Sequence, residues 1–107
     1  MRQADQAQAR CRLEQAGEGC YALLGDLGIE SAAAILGRGE AAFSGQPEIA
    51  VDLSGVTDAD SAGLAVLIEW VRGARSEGRR IRFLGMPPRL GDLARIGGVN
   101  ELLPVEG

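Results

Sequence analysis

The chain contains no histidine. That removes the usual general base and the commonest nitrogen ligand for a metal. Lysine is absent too, so all eleven basic residues are arginine. Positive charge is scarce overall: the net charge is −4, which disfavours nucleic acid, whose phosphates require a concentrated basic surface. Two cysteines, Cys11 and Cys20, lie nine apart without a CxxC spacing, so neither a zinc site nor a disulfide framework is indicated. The expectation is two half-buried thiols in a reducing cytosol. No G-x-x-x-x-G-K-[ST] loop is present, hence no ATP site of its own. A G-x-S-x-G elbow is also missing, and without a base no serine has a triad. No apolar run approaches the roughly 20 residues of a membrane span. The start, MRQADQAQAR, lacks the apolar core of a signal peptide. A cytoplasmic, non-enzymatic protein without metal or cofactor is expected, meeting a membrane only through a partner.

What remains is an ordinary globular composition. The 107 residues, 46% hydrophobic and 24% charged, suit one domain with a small core. Sixteen glycines are many. Residues 1–9 read as a flexible polar tail and 10–107 as the domain. CRLEQ and CYALLGDL flank the turn AGEG, which predicts a β-hairpin over 11–15 and 20–26. A helix follows over IESAAAILGRGEAAF, with Ser31 as a possible cap and Ala34, Ile35 and Phe43 facing inward. Gly37 and Gly39 weaken it by about 1 kcal/mol each, and Pro47 closes it. EIAVDL, 48–53, alternates as a strand.

The strongest element is a helix over 61–77, with Leu64, Leu67, Ile68, Val71 and Ala74 or Arg75 on one face. Gly78 stops it. RRIRFLG, 79–85, alternates as a strand. Pro87-Pro88 then opens a short helix in which Leu90, Leu93, Ala94 and Ile96 face inward. ELLPV reads as a last strand, with Pro104 at an edge. The order implies an α/β domain: a mixed β-sheet, an antiparallel hairpin followed by parallel strands, with helices packed against it.

In such sheets, sites gather beyond the carboxyl ends of the strands. SGVTDADSAG occupies that place. Asp60 or Ser61 would cap the long helix. A group on the Ser61 oxygen would face the helix's positive end and several free N–H groups, opposed by Asp58 and Asp60. From the local pattern alone, capping is the first reading of Ser61.

The run IAVDLSGVTDADSAGLAVLIEWV, followed by a strand and GMPPRLGDLARIGGVNELLPV, closely resembles the STAS domain (sulfate transporter and anti-sigma factor antagonist) over about residues 11–105. The resemblance implies a binding module rather than an enzyme. In anti-sigma factor antagonists the residue after the helix-start aspartate is phosphorylated by a partner kinase, and Ser61 matches it. In the cytoplasmic STAS subunit of bacterial phospholipid ABC transporters (the lipid-asymmetry or toluene-tolerance system), a hydroxyl residue there contacts the ATPase subunit, and Ser61 matches again. GLAVLIEWV with Ala65, and an end at ELLPVEG, look more like the transporter subunit. The expected partner is therefore the ABC transporter ATPase, at the inner face of the inner membrane; the alternative is an anti-sigma factor kinase.

On the long helix, Ala62, Val66, Trp70 and Gly73 form a second stripe. Either it is covered by a neighbouring loop, or Val66 and Trp70 form an apolar anchor beside Ser61, rimmed by Asp58, Glu69 and Arg72. Asp58, Asp60, Ser61, Ala62, Gly63, Val66 and Trp70 are the candidate partner-binding residues. On the anchor reading, Trp70→Ala weakens partner binding and leaves the fold intact.

Overall fold

Alternation of period two puts every second side chain on one face of a sheet, and the burial follows it. The computed structural model describes residues 10–106; the expected tail over 1–9 lies outside them. Tyr21, Leu23, Ile49, Val51, Leu53, Ile81 and Phe83 are buried, whereas Arg80 and Arg82, of the opposite parity, are exposed. The strands are β1 (Cys11–Gly17), β2 (Cys20–Leu27), β3 (Glu48–Ala59), β4 (Arg80–Leu84) and β5 (Val105–Glu106). The helices are α1 (Ile29–Phe43), α2 (Ser61–Ser76) and α3 (Pro88–Ile96). They form one five-stranded sheet in sequential order, with β1 antiparallel to β2 and each later strand parallel to the one before. Parallel crossovers are right-handed. Steps that all move in one direction therefore lay the helices on a single face.

The expected α/β architecture is the observed one, and four details differ. Strand β3 runs six residues beyond Leu53. Its pairing with β2 shifts register between Ala22 and Leu24 and again between Gly25 and Asp26. Beyond Leu53 the buried positions become Val56 and Ala59, and alternation no longer reveals the strand. Helix α1 starts at Ile29 after Gly28, not after Ser31. Ser31 lies one turn inside, where its Oγ donates to the Asp26 carbonyl at 2.8 Å and accepts from the Gly28 amide at 3.3 Å. Ala34 is exposed, and Ile96 is 84% exposed rather than turned inward. ELLPV is mostly a 3-10 turn, Asn100–Leu102; the last strand begins only at Val105, and Pro104, which has no amide to donate, joins β4 through its carbonyl, which accepts from the Phe83 amide at 2.8 Å. Cys11 is buried and Cys20 exposed, both as free thiols. Burial, aided by the charge of Asp26, pushes the Cys11 thiol up to about 11.

The second stripe of α2 belongs to the core. Val66 and Trp70 are each 3% exposed. The indole lies on α1 where Gly39 leaves room: a Cβ on Gly39 would come within 2.3 Å of the ring. Its Nε1 donates to the Leu36 carbonyl at 3.2 Å. Phe43 meets it edge-on at 5.1 Å between centroids, and Tyr21 meets Phe43 likewise at 5.1 Å. Edge-to-face pairs of this kind add to the gain from burial. The α1 carboxyl end is closed by the same group of residues: Tyr21 Oη donates to the Ala42 carbonyl at 2.9 Å, and Arg79 Nη1 to the Phe43 carbonyl at 2.6 Å.

Trp70 therefore joins α1 to α2 and cannot anchor a partner. The expected effect of Trp70→Ala is a loss of about 3–5 kcal/mol in urea unfolding. Gly39→Ala should also destabilise, because the indole must move. A Trp70→Ala protein of wild-type stability would contradict this packing.

Candidate functional site

Two helix amino ends meet at the carboxyl ends of β2 and β3. Each carries amides that no turn of its own helix can satisfy. One carboxylate serves both. Asp60 Oδ1 accepts from the amides of Ala62 at 2.8 Å and Gly63 at 3.2 Å, while Oδ2 accepts from the amide of Ile29 at 3.0 Å. Asp60, not Ser61, is the cap of α2. Burial raises the Asp60 carboxyl; the amides of Ile29, Gly63 and Ala62 and the charge of Arg89 outweigh it and hold the group below the ordinary carboxylate range.

Gly63 is fixed by contact. A Cβ there would come within 2.1 Å of the Leu27 carbonyl, so α2 can start this close to β2 only with glycine at that position. The Asp60 amide, 3.4 Å from the same carbonyl, closes the corner. The run D-S-A-G thus has a local meaning. The aspartate caps, the serine turns outward, and the glycine admits the β2 backbone.

Ser61 is exposed at the first position of α2, Ala62 is half-buried behind it, and Asp58 is exposed near the end of β3. Asp58 Oδ1 accepts from the Ala59 amide at 2.9 Å and lies 3.5 Å from Arg89 Nε. Arg89 comes from α3, and its Nε donates to the Ala59 carbonyl at 2.7 Å. Asp58, Asp60, Ser61 and Ala62 are therefore together at one tip, Gly63 lies directly beneath, and Val66 and Trp70 are removed from it into the core.

Two residues at this tip were not foreseen. Ile29 begins α1 on the Asp60 carboxylate and is 76% exposed. Its signal in the sequence is that it falls off the stripe Ser31, Ile35, Gly39, Phe43 that α1 buries. Arg89 follows the two prolines, with nothing in the local pattern to tie it to β3. Beside these lies a recess of about 310 Å3, lined by Asp26, Glu30, Asp58 and Asp60 against Arg10 and Arg89. The tip is acidic, with an exposed apolar residue and one exposed hydroxyl. Among the described residues, no group of three acidic or cysteine side chains converges to hold a metal ion.

A strand-ending aspartate that caps a helix, with a hydroxyl projecting beside it, defines a STAS-type fold and tip. The family model described as "Mlab, STAS domain" matches residues 7–104, and the chain belongs to that family. Solved structures share the fold. The Bacillus cell fate determinant SpoIIAA in its phosphorylated form superposes with a TM-score of 0.66 at 17% identity, covering 91% of each chain. A putative anti-sigma factor antagonist from Thermotoga maritima gives 0.72 at 16% identity, over 94% of this chain and 88% of that one. The murine anion transporter Slc26a9 gives 0.67 at 18% identity, over 85% of this chain and 16% of that chain. No curated protein matches the sequence.

The shared cap makes a pH-dependent prediction. The folded-state carboxyl of Asp60 is depressed, so its contribution is present above the unfolded value and disappears as pH falls through the folded one. Asp60→Ala should cost about 2 kcal/mol at pH 7, two caps being lost. That gap should begin to narrow below about pH 4, where the unfolded chain starts to take up the proton, and close as pH falls on through the lower folded value. Urea unfolding of both proteins across this range measures it; a gap independent of pH would contradict the role assigned to the charge.

Proposed function

We propose that the chain is a non-enzymatic STAS subunit that binds the ATPase of a phospholipid-trafficking ABC transporter and stabilises or regulates it. What carries this reading is the family match described as "Mlab, STAS domain" over residues 7–104, beside the sequence resemblance to the transporter subunits. The docking surface is the tip: Ser61, Asp58, Ala62 and, in place of Trp70, the exposed Ile29. Its acidic recess suits a basic rim on the ATPase, and Ile29 suits an apolar socket within that rim. Asp60 and Gly63 act from beneath by fixing the helix ends. Among the described residues no helix is long and apolar enough to cross a membrane. On this reading the protein lies in the cytoplasm and reaches the inner membrane through the transporter.

A second reading is an anti-sigma factor antagonist switched by phosphorylation of Ser61. It is supported by the exposure of Ser61 and by the similar fold of an antagonist solved in its phosphorylated form. Because Asp60 does the capping, Ser61 can be replaced without loss of the helix start.

Three variants separate the two readings when tested against the purified ATPase subunit and against a serine kinase of the anti-sigma type. If the ATPase is the partner, Ile29→Asp should weaken its binding by about tenfold or more. Ser61→Asp and Ser61→Ala should both weaken it more modestly. If Ser61 is a switch, Ser61→Ala should keep kinase binding, Ser61→Asp should lose it, and the kinase should transfer phosphate to the wild-type chain alone. Wild-type ATPase binding by Ile29→Asp together with Ser61→Asp would exclude the tip as the docking surface.

A further inference from the structure

The far end of the sheet carries the opposite charge pattern. At the amino ends of β3 and β4, a full strand length from Ser61, lies a cavity of about 710 Å3. This is within the size of small-ligand sites. Arg75, Arg79, Arg80 and Arg82 line it, four of the chain's eleven arginines in a protein of net charge −4. Two of the guanidinium groups are tethered: Arg79 by the Phe43 carbonyl and Glu77, Arg82 by Glu106 at 3.7 Å. Arg75 and Arg80 are exposed and form no salt bridge among the described residues. Arg75 comes from the last turn of α2, while Arg80 and Arg82 stand on the helix-free face of the sheet.

We propose that this cavity binds a phosphomonoester dianion. A planar guanidinium fork matches two phosphate oxygens at once, and two of the four arginines in the lining are free of salt bridges among the described residues. The competing anions in the wall are Glu18, Glu48 and Glu106; Glu106 lies by Arg82, and Glu48 pairs in register with Arg80 across β3 and β4. Each singly charged carboxylate is a weaker rival for a guanidinium fork than a doubly charged phosphate with three acceptor oxygens. The free amino ends of the strands leave the floor open, and the thiol of Cys20 lines the same cavity.

Cys20 supplies the readout, because it is exposed while Cys11 is buried. Glycerol 3-phosphate and inorganic phosphate should slow alkylation of Cys20 in the full chain, saturably and more than sulfate-free chloride at equal ionic strength. Arg75→Ala with Arg80→Ala should weaken that protection by about tenfold or more while leaving thermal unfolding unchanged. Glu48→Gln should strengthen it, since it removes a rival carboxylate. Phosphatidylcholine vesicles with and without phosphatidate form the second arm. Protection by phosphatidate vesicles alone supports the same phosphate chemistry and assigns the ligand to a lipid headgroup; protection by the free esters assigns it to a dissolved metabolite. If neither arm protects Cys20, or if the double arginine variant is protected as well as the wild type, the site does not exist.

Discussion

One carboxylate holds two helices to one end of the sheet. Asp60 ends β3, starts α2 through Ala62 and Gly63, and starts α1 through Ile29. Ala62 and Gly63 are 2 and 3 positions from Asp60, whereas Ile29 is 31 away; the carboxylate thus converts a local cap into a tertiary tie. Helix α2 then approaches β2 closely, which glycine at 63 permits. The aromatic contacts of Tyr21, Phe43 and Trp70 hold the other end of the α1–α2 pair. With the pair fixed at two points, Ser61 and Ile29 emerge on the same surface, and their separation is set by backbone rather than by mobile side chains.

This arrangement determines which residues are available to a partner. Three of the helix-end amides that would welcome an anion are already taken by Asp60. The tip's remaining resources are an exposed hydroxyl, an exposed isoleucine and a border of acidic groups tempered by Arg10 and Arg89. Such a surface suits association with another protein: an apolar contact at the centre and charge at the rim to set orientation. The opposite end of β3 is lined with arginines. Glu18, Glu48 and Glu106 stand among them, so arginines outnumber acids only narrowly there, whereas acids outnumber arginines at the tip.

Much of the fold was legible because it rests on short-range patterns. The parity of EIAVDL and RIRFL, the apolar face of α2, and Gly78 at a positive φ of 71° just beyond it all follow from local physics. The extension of β3 was hidden because register shifts against β2 break the alternation after Leu53. Trp70 was ambiguous for a different reason. Its stripe on α2 is apolar whether covered or open, and what covers it is Gly39, thirty-one positions earlier on a helix whose glycines read only as weaknesses. At the tip, D-S-A-G marked the place, whereas the partners of that place, Ile29 and Arg89, are brought in by topology and carry no local signature.

The geometry of Asp60 also decides how a charge added at Ser61 would act. A phosphoryl group there would find the amides of Ala62, Gly63 and Ile29 already bonded. It would also stand beside the carboxylates of Asp58 and Asp60, whose like charge repels it. The nearby cation Arg89 is tied to the Ala59 carbonyl and close to Asp58. With those three amides occupied and two carboxylates beside it, the group would project outward and leave the Asp60 cap as it is. Its effect would fall on the surface seen by a partner rather than on the conformation of the domain. A hydroxyl that contacts a partner and a hydroxyl that is modified to repel one are then the same physical site, distinguished only by what the partner carries opposite it.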